Sequence, residues 1–189
     1  RSAWAREQIP DLDGMLRVSQ MVVDLAMTRR VAITGAKLGG DVGARWLDAA
    51  LLAVEMVSLL ESDPEQLRDV ALAGLLLSVI PFDERGAVIK EGTTSWLRAG
   101  RLGDPSHLAQ KTFSILMGIS GIHGVIRRAI TLASEAQARR YRRLSVGASS
   151  ASVWPAVALA TSIRYVESLS RQVPGDDALV EMLREESMD

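Results

Sequence analysis

The chain has no cysteine among its 189 residues. That excludes disulfides, a thiol nucleophile and any Cys-ligated metal. It has only two histidines, His107 and His123, too few for a His-rich metal site. Aromatics make up 4% of the sequence. Tyr141 is the one aromatic in the densest basic stretch, so the interleaved stacking residues of a single-strand nucleic-acid binder are missing. Neither sign of charge dominates: 22 basic and 23 acidic residues give a net charge of −1. Nucleic acid is therefore not an expected partner. No apolar run reaches the length of a membrane span, and the richest stretch, Val70 to Phe82, falls short of one. The segment Ile9-Pro10-Asp11-Leu12-Asp13 is polar where a signal peptide would be apolar, so the expected location is cytoplasmic. The chain starts at Arg1, which suggests a piece of a longer protein.

What is present is 48% hydrophobic and 24% charged, which excludes a disordered tail or a collagen-like fibre. The length fits one domain with a real core. Leu, Ala, Val, Met and Glu dominate, and these are helix formers. Asp11 or Asp13 is placed to cap a first helix reaching about Arg30, with Leu16, Met21, Val22, Leu25 and Ala26 on one face. Gly35, Gly39, Gly40 and Gly43 then break the pattern. A second helix spans about Val42 to Leu60, with Leu47, Leu51, Val54 and Leu59 near the 3.6-residue period. Ser62-Asp63-Pro64-Glu65 is a strong start signal for a third, which runs to about Ile80 and stops at Pro81. Further helices are expected near Thr94–Arg98, from Asp104 to Met117, from Ile122 to Arg143, from Val153 to Arg171, and after Pro174 to Glu186. Only Arg30–Thr34 has the character of a strand. The expected fold is an all-α, single compact bundle of six to eight helices with no internal repeat.

Two motifs invite a sharper reading than they support. Val31-Ala32-Ile33-Thr34-Gly35-Ala36 followed by Gly39-Gly40 looks like the opening of a short-chain dehydrogenase. Asp41 occupies the place of the third Gly, no Tyr-x-x-x-Lys pair follows Tyr141 or Tyr165, and no strand–helix alternation continues it. A Gly-rich helix corner explains it better. Arg127, Arg128, Arg139, Arg140, Arg142 and Arg143 form a basic cluster that suits phosphate or an acidic partner, or simply a solvated helix face. Ser149, Ser150 and Ser152 have no evident His partner for a hydrolase triad.

The run Asp63-Pro64-Glu65-Gln66-Leu67-Arg68-Asp69-Val70-Ala71-Leu72-Ala73-Gly74-Leu75-Leu76 resembles the helix leading into the metal motif of the HD-GYP branch of the HD-domain phosphohydrolases. Where that bacterial signalling family continues His-Asp-Ile-Gly-Lys, this chain has Leu77-Ser78-Val79-Ile80-Pro81. Ile115 to Ile122 is similar to the family's Ile-Leu-x-x-Ile-Pro-Gly-Leu segment. The expected His before it falls near Leu108, one position from His107. Leu132-Ala133-Ser134-Glu135 stands where the family has His-His-Glu, and the Gly-Tyr-Pro signature is missing from Arg139 to Gly147. The stretch Val157 to Leu169 resembles the family's Asp-bearing helix, with Arg164 at the metal-binding Asp and Glu167 at the second one. Ala178 to Leu183 is similar to the closing helix.

The resemblance implies a degenerate HD-GYP-like domain over 41–189, preceded by an N-terminal helix and Gly-rich connection over 1–40, the two forming one domain. It implies vacated metal-ligand positions at Ala44, Leu77, Ser78, Leu132, Ala133 and Arg164. Leu and Ala offer no lone pair, and a guanidinium repels a divalent ion. No catalytic residue, no metal and no cofactor is therefore expected. Two functions compete. One is an inactive signalling or regulatory module that docks a protein partner or a second copy through Trp46, Trp96 and Trp154, residues that are otherwise core. The other is a non-hydrolysing receptor for cyclic di-GMP, its phosphates held by Arg127, Arg128, Arg139, Arg140 and Arg164. Arg164 is also placed to pair with Glu135 or Glu167.

Overall fold

The computed structural model describes residues 11–28, 42–60, 63–78, 113, 116–117, 124–141, 153–170 and 180. The side chains of 42–45, 124–125, 140–141, 153 and 167–170 are excepted. Its five helices are α1 (Leu12–Met27), α2 (Val42–Ser58), α3 (Pro64–Leu77), α4 (Gly124–Tyr141) and α5 (Val153–Ser170), and there is no strand among the described residues. The expected strand at Arg30–Thr34 lies outside them. So do the helix near Thr94–Arg98 and, apart from helical Phe113, Leu116 and Met117, the one from Asp104.

Local chemistry explains the helix ends. Asp11 accepts a hydrogen bond from the Gly14 amide at 2.9 Å, and Asp63 accepts one from the Glu65 amide at 3.0 Å. Each carboxylate satisfies an amide that has no partner within its helix. Pro64 at the first helical position lacks the N–H that would otherwise be orphaned. At the other ends hydroxyls donate back to carbonyls: Thr28 to Leu25 at 3.0 Å, Ser58 to Glu55 at 2.8 Å, and Ser78 to Leu75 at 2.6 Å. Helix α3 thus ends at Leu77, three residues short of the expected Ile80.

Helix α3 is the hub. It packs against α1, α2 and α4 and touches α5, while α2 also packs on α5. Between Leu67 and Leu77 only Arg68 and Leu75 are not buried. A helix buried on all but one narrow edge, here Arg68 and Leu75, sits at the core of its bundle. The partners are lined by small side chains: Ala49, Ala50 and Ala53 on α2, Ala129, Ala133 and Ala136 on α4, and Ala156, Ala158 and Ala160 on α5. Larger groups fill the gaps between them, chiefly Leu67, Leu72, Leu76, Ile130, Leu159 and Ile163. Buried serines close their own hydrogen bonds within the helix. Ser19 donates to the Leu16 carbonyl, Ser134 to that of Ile130 and Ser162 to that of Ala158, each at 2.8 Å.

The expected faces need two corrections. On α1 the buried residues are Ser19, Val22, Val23 and Ala26, while Met21 and Leu25 point outward. The helix carries apolar residues on both sides, so periodicity alone does not choose between them. On α2, Val54 is buried and Leu47 and Leu51 are partly so, but Leu59 lies past the helix end and is exposed.

Gly74 fixes how closely α2 and α3 approach. A Cβ there would sit 2.8 Å from the Ala50 Cβ and 3.2 Å from its Cα. Neither atom can rotate away. Gly74→Ala gains up to about 1 kcal/mol of helix propensity but adds overpacking of about 1–3 kcal/mol. A net loss of up to roughly 2 kcal/mol, read as a lower urea midpoint at unchanged slope, is expected. A rise in the midpoint would contradict the close approach.

Candidate functional site

A cleft of about 390 Å³ opens at the N-terminal end of α3. Asp63, Glu65, Gln66 and Asp69 line it from α3 and its cap, Arg128 and Leu132 from α4, and Pro155 from α5. Glu65 and Asp69 stand one helical turn apart on the same face of α3, where two carboxylates repel. Arg128 bridges them. Its Nε donates to Asp69 Oδ2 at 2.7 Å, and its Nη2 to Glu65 Oε2 at 3.3 Å.

The three partners sit in different surroundings. The Asp69 side chain is 10% exposed, against 55% for Arg128 and 68% for Glu65. Burial pushes the Asp69 carboxyl above its usual range, against the opposing pull of the Arg128 hydrogen bond and charge. Asp69 Oδ1 is buried with no hydrogen-bond partner among the described residues, which adds to the cost of holding the charge there. The Asp69 bond in turn raises the Arg128 guanidinium further above its already high value, so it stays a cation. Two half-buried carboxyls on α2, Asp48 and Glu55, are also raised by burial, but neither lines the cleft. Among the described residues no group of three or more His, Asp or Glu is placed to hold a metal ion. No described helix is long and apolar enough to cross a membrane.

No protein-family model, no curated protein and no solved structure matches the chain. Its chemistry has to be read from its own residues.

Of the candidate site residues read from the sequence, the cleft brings together Arg128 and Leu132 among the described residues. Leu77 and Ala133 are in the hydrophobic core, and Ser78 is the half-buried C-cap of α3. Leu77 lies about 12 Å along the axis from Asp69, at 1.5 Å per residue. Arg164 is half-buried on α5, and Glu135 is exposed on α4. Arg127 is exposed and Arg139 half-buried. Ala44, Arg140 and Glu167 are helical, but their side chains are not among those described. Trp46 is a core residue at 7% exposure, whereas Trp154 is 36% exposed. Trp96, His107, His123, Arg142, Arg143, Ser149, Ser150 and Ser152 lie outside the described residues.

Sequence reasoning missed the acidic wall of the cleft. Asp63 and Glu65 were legible only as a helix start, and Asp69 as one residue of an apolar helix. The signal that could have exposed Asp69 is its place: a carboxylate directly before Val70-Ala71-Leu72-Ala73 falls on a face that must be buried.

The raised Asp69 carboxyl has a definite pH signature. The folded chain holds this proton more readily than the unfolded chain does, so the group's contribution to stability falls as pH rises through the folded value. Asp69→Asn does not titrate there. Wild type should therefore gain stability relative to Asp69→Asn between about pH 7 and about pH 3 in urea unfolding, and an unchanged difference would contradict the assignment. Arg128→Ala should be less stable than wild type at neutral pH, by a deficit that narrows in acid and shrinks in the Asp69→Asn background, where the exposed Glu65 pair remains.

Proposed function

We propose that this chain is a catalytically silent helical module that acts by docking a protein partner. The observation that carries this reading is what fills the positions matched by the HD-GYP resemblance. Leu77 is 1% and Ala133 0% exposed, both inside a packed core with no lone pair to offer a metal. Water activation and phosphate neutralisation by metal ions have no ligands there. The cleft supports the same reading. Among the described residues its one guanidinium is tied to two carboxylates, with Asp63 a third, and that charge balance suits a neutral or basic group over a phosphodiester.

A receptor for cyclic di-GMP is the second reading, favoured by Arg128 and Leu132 lining one cleft beside the start of α5. Calorimetric titration of the whole chain with cyclic di-GMP, with and without manganese, separates the two. No binding and no hydrolysis in either condition is the expected result. Metal-independent binding that weakens in Arg128→Ala and Arg164→Ala would favour the receptor. Binding or turnover only with manganese would overturn the silent-module reading.

A further inference from the structure

Helix α1 buries Val22, Val23 and Ala26 and leaves a second apolar stripe in water. Val18, Met21 and Leu25 are 36%, 61% and 40% exposed. At 100° per residue these three share one side of the helix, with Arg17 and Asp24 together along one flank. Both flanking residues are exposed. Asp24 is held by Gln20 Nε2 at 2.9 Å. None of these residues lines the cleft.

The two flanking charges decide what fits the stripe. Arg17 and Asp24 are seven residues apart, so they occupy the same position in successive double turns. When two copies of one helix pair antiparallel, each flank faces itself. A two-fold axis near the level of Gln20 and Met21 then sets Arg17 opposite Asp24 of the second copy, and repeats the contact in reverse. The same arrangement puts Met21 beside its own copy and Val18 within reach of the second Leu25. It also sets the helix dipoles in opposition, which is favourable. A parallel pair brings the charged flank against the opposite edge of the stripe, where the buried side of α1 begins.

We infer that the exposed face of α1 is a self-docking surface that pairs antiparallel with a second copy of this chain. The inference names a partner for the protein-docking module and rests on that reading. The two fail separately, since dimerisation reports on α1 and cyclic di-GMP titration on the cleft. A 16-residue helix is about 24 Å long, so one such contact is small and the dimer is weak, with a Kd on the order of 10–100 µM.

Sedimentation equilibrium of the whole chain over a concentration series tests it. A reversible monomer–dimer equilibrium is expected. Met21→Glu, at an exposed site that leaves the circular dichroism spectrum unchanged, should abolish dimerisation. Arg17→Glu and Asp24→Arg should each weaken it about tenfold, since each sets like charges opposite one another twice, and the double charge swap should restore it. A monomer up to about 1 mM, tenfold above the weakest expected Kd, would overturn the inference. So would a dimer indifferent to Met21→Glu, or one that the two single charge variants leave unchanged.

Discussion

Beyond its first turn helix α3 gives water only the narrow edge of Arg68 and Leu75, and the rest of the structure follows from that. Nine of its residues from Leu67 onward are buried. Its neighbours carry many buried alanines, and one of them, Ala50 on α2, stands directly against Gly74. Close-packed interiors leave little room for compromise at such a point. The same burial takes in Asp69, the one carboxylate in this stretch, and a buried carboxylate needs a partner. Arg128 reaches across from α4 to supply it, and the cleft forms around that ion pair.

The site is thus a by-product of core packing as much as a recognition device. Its polar groups answer one another: Asp63 caps α3, while Glu65 and Asp69 share Arg128. The exposed half of that pair is surface-like and weakly held, since ion pairs in water contribute little. Asp69 is the member that matters for stability, because its charge is the one removed from solvent. Leu77 and Ala133 belong to the same packed interior. A histidine at either place would put a polar ring inside this packed apolar core.

Much of the fold was legible in the sequence, because local chemistry dictates it. Asp63-Pro64-Glu65 marks the start of α3 at the residue, and Asp11 caps α1 as expected. The limits of α2, α4 and α5 fall within two residues of those read from the helical pattern. What was not legible depends on distant partners. Met21 and Leu25 share the predicted apolar face of α1 with Val22 and Ala26 yet point outward, because a two-sided apolar helix does not declare which side meets the core. The bond between Asp69 and Arg128 joins residues 59 apart, and nothing local to either announces it. The sequence offers Trp46, Trp96 and Trp154 as one docking surface, yet packing buries Trp46 and leaves Trp154 partly in water, while Trp96 lies outside the described residues.

The most direct measurement is native-state hydrogen exchange resolved by helix. Amides in a hub helix open only when the whole bundle opens, whereas a peripheral helix opens locally at lower cost. If α3 is the hub, its amides from Val70 to Leu77 exchange slowest of the five helices and at the rate of global unfolding, while those of α1 exchange faster. Exchange of α3 as fast as α1, or faster, would contradict the packing on which every other conclusion depends.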